Sequence, residues 1–133
     1  MMKALDNLAP HAHWLLRIAV ASVFLYHGLG KFPNVSGFAE MAGLPVFVAL
    51  LVALAETVGG ALILLGGVMQ EWMTRLGALM MLIVIIGATV MVHWGRWSFV
   101  PSESHPMGGM EFQVTLALIL LYFLIKGNNG KTA

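Results

Sequence analysis

Ionisable side chains interrupt the apolar stretches of this chain, and they are the residues that could do chemistry: Arg17, His27, Lys31, Glu56, His93 and Glu111. Glu56 lies in the middle of residues 45–67, a stretch of almost unbroken apolar character. A charge near the centre of a bilayer is costly, so this carboxyl group must be protonated, paired or directed into a polar cavity. It could exchange protons or bind a ligand. The alternative is a helix-packing carboxyl group that is neutral or forms an intramembrane pair with Arg17, which could instead extend its charge to the headgroups.

The other candidates are predicted at one end of the helices, because successive spans run in opposite directions: His27, Lys31, His93 and Glu111. His27 and Lys31 are four residues apart and therefore share a helix face. The sequence predicts a ligand-binding cluster here, near the outer leaflet. The imidazoles and the ammonium group could donate hydrogen bonds, and the carboxyl groups could move protons.

Each member of this cluster also has a purely structural interpretation. His27 could be a packed or interfacial histidine, and His93 could cap the end of its helix. Glu111 could complement the positive end of a helix dipole. Two histidines and a carboxylate could hold zinc or non-haem iron, but they come from three helices without a local motif, so no metal site is predicted. A haem with His27 and His93 as axial ligands is an open alternative.

The composition places the chain among integral membrane proteins. Of its 133 residues, 59 % are hydrophobic and only 10 % are charged, which is too apolar for a soluble domain of this size. The net charge of +1, without a basic stripe, argues against nucleic acid as a partner. There is no cysteine, so disulfides, thiolate metal sites and dithiol redox chemistry are excluded.

Apolar runs predict four membrane spans, at about residues 14–32, 45–67, 72–93 and 107–126. Short connections between them indicate an all-α fold, an integral membrane antiparallel four-helix bundle in which residues 1–133 form one domain. Small residues are predicted where helix backbones approach closely: Gly28, Gly59 and Gly60. A short interfacial helix is expected around residues 37–41.

Positive charges predict the orientation of the helices. The side that carries the termini has Lys3, Arg75, Lys126 and Lys131, with Arg17 just inside; the other side has Lys31 and Arg96. We therefore expect a multi-pass protein of the inner (cytoplasmic) membrane with both termini cytoplasmic. Its surroundings are the lipid bilayer and either other subunits or further copies of itself.

The order of several short motifs resembles the DoxX family of small four-helix membrane proteins. The motifs are LLRIAVASVFLYHGLGKF, AGLP, ALAETVGGALILLGG, the histidine of MVHW, and GGMEF before the last helix. The resemblance extends over about residues 15–127. The recurring polar and small positions of that family correspond here to Arg17, His27, Gly28, Lys31, Glu56, Gly59, Gly60, His93 and Glu111.

The DoxX resemblance implies a membrane subunit of a quinone-linked oxidoreductase, because the family includes the large-subunit type of thiosulfate:quinone oxidoreductase. The expected ligand is a quinone head group at the predicted cluster, and whether this chain is itself catalytic is left open. No flavin or nucleotide motif is recognised, since GLGKF lacks the spacing of a dinucleotide fingerprint or a P-loop. The alternatives are a non-catalytic assembly or scaffold subunit, a bis-histidine haem-binding subunit and, less favoured, a small-solute transporter.

Overall fold

A computed structural model describes residues 1–128, and this part of the chain is helical without strands. Its helices are α1 (Met2–Leu8), α2 (His13–Lys31), α3 (Val35–Ala42), α4 (Val46–Gly66), α5 (Glu71–Ala88) and α6 (Glu111–Lys126). A π-helical turn, Thr89–His93, extends α5. Three runs are long and apolar enough to cross a membrane, namely His13–Ala42, Val46–Gly66 and Glu71–His93. The predicted all-α membrane class is therefore confirmed.

The break between α2 and α3 is encoded locally. Pro33 falls in a single 3-10 turn, Phe32–Asn34, that directly follows α2. Asn34 then caps α3, because its side-chain oxygen accepts a hydrogen bond from the backbone N–H of Gly37 at 2.9 Å. Gly43 ends α3 with a φ of 66°, a conformation that glycine adopts without steric cost. The expected short helix around residues 37–41 is thus present as α3.

The last helix begins later than predicted. We expected it to start near residue 107, but α6 begins at Glu111. The loop before it is held by long-range backbone bonds, from Gly109 N to the Ser98 carbonyl at 2.7 Å and from Met110 N to the Arg96 carbonyl at 2.8 Å. These bonds hold the backbone before Glu111 in a non-helical conformation, in which Gly108 has a φ of 85°. With 16 residues, α6 spans roughly 24 Å, less than the roughly 30 Å of a hydrocarbon core.

Four helices contribute to one hydrophobic core. Helix α4 packs between α2 and α5, α5 packs against α6, and α6 also contacts α2. The fully buried members come from all four: Val20, Ala21, Phe24, Ile63, Ala78, Met81, Leu120 and Phe123. The core therefore fixes the relative positions of the ends of α2, α4 and α5 with respect to α6.

Glycines set the closest approaches between these helices. A Cβ at Gly28 would lie 2.8 Å from the backbone nitrogen of Thr57, so α2 and α4 touch backbone to backbone there. A Cβ at Gly59 would lie 2.7 Å from the Met81 side chain, and one at Gly60 would lie 2.9 Å from Leu25. Gly28 and Gly60 therefore lie on the α2–α4 contact, and Gly59 lies on the α4–α5 contact.

Candidate functional site

A cavity of about 430 Å³ opens between α2, α3, α4, the end of α5 and the start of α6. Its polar lining residues are His27, Lys31, Glu56, His93 and Gln113. The remaining lining is apolar side chains and Gly87. Such a space, apolar with a few convergent polar groups, is typical of a small-molecule site.

An ion pair forms one wall of the cavity. Lys31, in the last turn of α2, donates to Glu56 Oε2 on α4 at 2.6 Å. The Glu56 residue is only 6 % exposed. The ammonium group also donates to the His27 carbonyl at 3.1 Å and lies 4.8 Å from the centre of the Phe38 ring. The close contact at Gly28, one turn before Lys31, brings the two helices near enough for this pair to form.

The predicted pair between Arg17 and Glu56 is wrong, because Glu56 binds Lys31 and Arg17 lies at the opposite end of the helices. Arg17 is 1 % exposed and donates to the Ile63 carbonyl at 2.6 Å, and neither residue lines the cavity. It also donates to Thr74 Oγ1 and Asn128 Oδ1, each at 2.8 Å. Its role in this structure is to join helices, and it does not neutralise the buried acid.

The opposite wall of the cavity is a histidine–amide pair. His93 ends the π-helical turn and is 8 % exposed. Its Nδ1 lies 2.9 Å from the carbonyl oxygen of Gly108. A carbonyl can only accept, so Nδ1 carries a hydrogen, and in the neutral imidazole Nε2 is then an acceptor. Gln113 Nε2 donates to that nitrogen at 3.1 Å, while Gln113 Oε1 is buried without a hydrogen-bond partner in the described structure.

The structure brings most of the predicted cluster together. His27, Lys31 and His93 line one cavity with Glu56, and His27 lies exposed at its mouth, edge-on to Tyr26. Glu111 does not line the cavity; Gln113, two residues later, does. Two residues correspond to a rotation of about 200° around a helix, so both cannot face the same side.

Gln113 could have been found from the sequence. It is a neutral amide in the otherwise apolar stretch that follows Glu111, and a polar side chain in such a place needs a partner. Because Gln113 carries no charge, a pattern of ionisable residues predicts Glu111 in the first turn of α6 instead. Within residues 1–128 no three His, Asp or Glu side chains are grouped closely enough to hold a metal ion.

Comparison with known proteins identifies the family. The profile of the DoxX family matches residues 12–94. The chain belongs to the DoxX family. It is also 30 % identical over 117 residues to a protein of Bacillus subtilis (strain 168) described as "Putative oxidoreductase CatD". The matched region covers 86 % of this chain and 78 % of CatD. No solved structure matches it.

The DoxX match confirms the resemblance and, with the apolar helices, establishes a membrane protein. The matched region, residues 12–94, contains only part of the cavity lining. Lys31, Glu56 and His93 fall inside the matched DoxX region, whereas α6, with Gln113, lies beyond it. The ion pair and the histidine are therefore carried by the DoxX segment itself, and the amide that completes the second wall comes from the segment after it.

Proposed function

We propose that this protein is the membrane subunit of a quinone-linked oxidoreductase and that its cavity binds the head group of a membrane-soluble quinone carrier. The observation that carries the proposal is the juxtaposition of a partly buried Lys31–Glu56 pair with an otherwise apolar cavity of about 430 Å³. The oxidoreductase description of CatD supports this class of reaction.

The cavity has the size and lining that a quinone head group requires. Small-ligand pockets measure about 300–1,000 Å³ and are mostly apolar. Several lining residues are exposed apolar side chains of α4, α5 and α6, among them Val48, Ile83 and Phe112. Since exposed apolar side chains on membrane helices face lipid, the mouth opens sideways into the bilayer. A carrier with an apolar tail would enter by this route.

A bound quinone would supply a reversible store of two electrons and two protons. The protein's own groups orient the ring and exchange the protons. The His27 ring is exposed at the mouth of the cavity, where it can contact an oxygen of the ligand on one side and the headgroup region on the other. Glu56 accepts a proton at Oε1, the oxygen that does not bind Lys31. Electrons would arrive from a partner subunit or directly from a reduced substrate.

We further propose that α6 completes an antiparallel four-helix transmembrane bundle in the inner membrane, with the cavity in the outer leaflet and both termini cytoplasmic. The bond between Arg17 at the start of α2 and Asn128 just after α6 supports this arrangement, since it holds both at one end of the helices. Lys131, one of the charges behind the predicted orientation, lies outside the described residues.

The alternative functions receive less support from the geometry. A scaffold subunit would use its glycine-rich helix faces to bind partners, but Gly28, Gly59 and Gly60 already contact neighbouring helices of the same chain. A haem ligated by His27 and His93 would require His93 to give up one of its two ring bonds, to Gly108 or to Gln113. Neither is proposed here.

The test is ligand binding in lipid nanodiscs. Mass spectrometry of the extracted lipids reports copurified quinones, and titration with decylubiquinone in its oxidised and reduced forms measures affinity. Glu56→Gln should weaken binding about tenfold for whichever of the two forms the wild-type protein binds more tightly, the usual effect of a lost charged hydrogen bond. Glu71→Gln is the matched control, because Glu71 pairs with Arg75 on the surface, away from the cavity. Binding of neither form, or equal binding by Glu56→Gln, would reject the proposal.

A further inference from the structure

The hydrogen-bond donors on the ion-pair wall are already committed. An ammonium group has three N–H bonds. Those of Lys31 face Glu56 Oε2 at 2.6 Å, the His27 carbonyl at 3.1 Å and the ring of Phe38, whose centre is 4.8 Å away. A ligand carbonyl could bind Lys31 only by displacing one of these partners. Glu56 Oε1, by contrast, accepts no hydrogen bond from the described residues.

The opposite wall also ends in an acceptor, and its polarity is fixed by the backbone. The Gly108 carbonyl requires a hydrogen on Nδ1 of His93, which makes Nε2 of the neutral imidazole an acceptor. Gln113 must therefore turn its NH₂ group toward His93, because the reversed amide would set oxygen against a nitrogen lone pair. Gln113 Oε1 is what remains, and it is buried without a partner.

We infer that this cavity selects a head group that donates hydrogen bonds, the reduced hydroxyl-bearing form of an aromatic carrier, and that Gln113 determines the selection. Both residues line the cavity, and two acceptor oxygens, Glu56 Oε1 and Gln113 Oε1, lack a donor among the described residues, against one unused amide donor, the second N–H of Gln113. A hydroxyl group would donate a hydrogen bond to Gln113 Oε1, whereas a quinone carbonyl is itself an acceptor and would leave that oxygen unpaired. The imidazole of His27, exposed at the mouth, can either donate or accept a hydrogen bond, so it favours neither form.

This inference rests on the proposed function, since it assumes an aromatic ligand in the cavity, but the two can fail separately. Wild-type protein in nanodiscs is titrated under anaerobic conditions with two pairs of probes. In each pair, 1-naphthol against 1-fluoronaphthalene and 1,4-naphthohydroquinone against 1,4-naphthoquinone, the members have similar shape and only the first donates. The donor should bind about tenfold more tightly in both pairs, the usual result of leaving a buried acceptor unpaired.

Gln113→Met tests the residue itself, since methionine keeps the length of the side chain and removes the acceptor. The variant should bind both members of each pair with similar affinity, and the loss of preference is a readout that a merely structural role would not produce. Thr115→Val is the matched control: Thr115 lies exposed on α6 and bonds the Glu111 carbonyl, so the preference should persist.

The outcomes separate the two ideas. If none of the four probes binds, the aromatic-ligand proposal and the inference fall together. If all bind without preference, or the non-donors bind more tightly, only the inference falls. A preference that survives Gln113→Met would remove Gln113 from the selection. The wild-type comparison needs no variant, so it decides the case even if Gln113→Met does not fold.

Discussion

Two cations at opposite ends of α2, the buried Arg17 and the partly buried Lys31, meet different environments. Arg17 donates to four protein acceptors, none of them a carboxylate: His13, Ile63, Thr74 and Asn128. Lys31 pairs with a carboxylate beside a cavity. At the Arg17 end the polar groups bind one another within the protein. At the Lys31 end the oxygens Glu56 Oε1 and Gln113 Oε1 have no hydrogen-bond donor among the described residues. The difference teaches that burial of charge alone does not mark a functional site; open polar atoms next to a cavity do.

The hydrogen bonds around Arg17 are satisfied because Arg17 binds a carbonyl at the end of helix α4. The last four carbonyls of a helix lack partners within it. In α4, the Ile63 carbonyl accepts from Arg17 and the Gly66 carbonyl accepts from Asn128 Nδ2 at 2.7 Å, while Leu64 and Leu65 are satisfied by the following turn. The guanidinium charge also lies at the negative end of the α4 dipole. This end of the molecule is therefore a structural joint.

The largest effect expected from this comparison is on stability at the Arg17 end. Arg17→Met should lower the free energy of unfolding by about 4 kcal/mol, because several charge-assisted hydrogen bonds are lost and their buried acceptors stay unpaired. Denaturant titration in detergent micelles measures it. Arg75→Met is the control: Arg75 bonds Glu71 and the Leu124 carbonyl at the exposed surface, and its loss should cost about 0.5 kcal/mol. Equal losses of unfolding free energy in the two variants would contradict the structural role of Arg17.

The second prediction reverses the pattern at the cavity end. Lys31→Met should cost about 3 kcal/mol, since it leaves the Glu56 carboxylate buried and unpaired. Adding Glu56→Leu should recover most of that stability, because replacing both members of a buried pair by apolar residues is often neutral. The double variant should still fail to bind the ligand. Recovery of both stability and binding would show that the pair has no functional role.

The smallest effect concerns the contact that brings the pair together. Gly28→Ala should cost about 2 kcal/mol, because its Cβ would meet the Thr57 backbone nitrogen and push α2 from α4. Ligand affinity should fall with it, as Lys31 moves away from Glu56. Gly30→Ala is the control on the same helix, where a Cβ meets nothing within 4 Å. That variant should gain about 0.5 kcal/mol from helix propensity, measured by the same titration.

The sequence was sufficient for the membrane class, the family and most of one cluster. His27 and Lys31 share a helix face through local spacing alone, and His93 follows from the antiparallel order of the helices. The partner of Glu56 could not be predicted from depth, which placed Lys31 at the membrane boundary. Its long side chain reaches Glu56 because Gly28 allows backbone contact, a tertiary effect that spacing does not reveal.

Glu111 shows a second limit of sequence reasoning. The start of α6 is set by bonds between residues far apart in the loop, such as Gly109 N to the Ser98 carbonyl, and not by a local capping signal. The helix start and the face that α6 turns to the cavity therefore could not be read from periodicity. The choice between Glu111 and Gln113 depends on that face.

The π-helical turn at the end of α5 has a consequence for the cavity. A π turn accommodates one more residue than an α turn, so Thr89–His93 holds an insertion relative to a regular helix. If Thr89–His93 wound as a regular α-helix instead, the imidazole would lie about 100°, the equivalent of one residue, further around the axis. The ring would then lose both Gly108 and Gln113, and the amide would be free to flip. One extra residue in the backbone thus fixes the direction of the whole chain of hydrogen bonds along this wall.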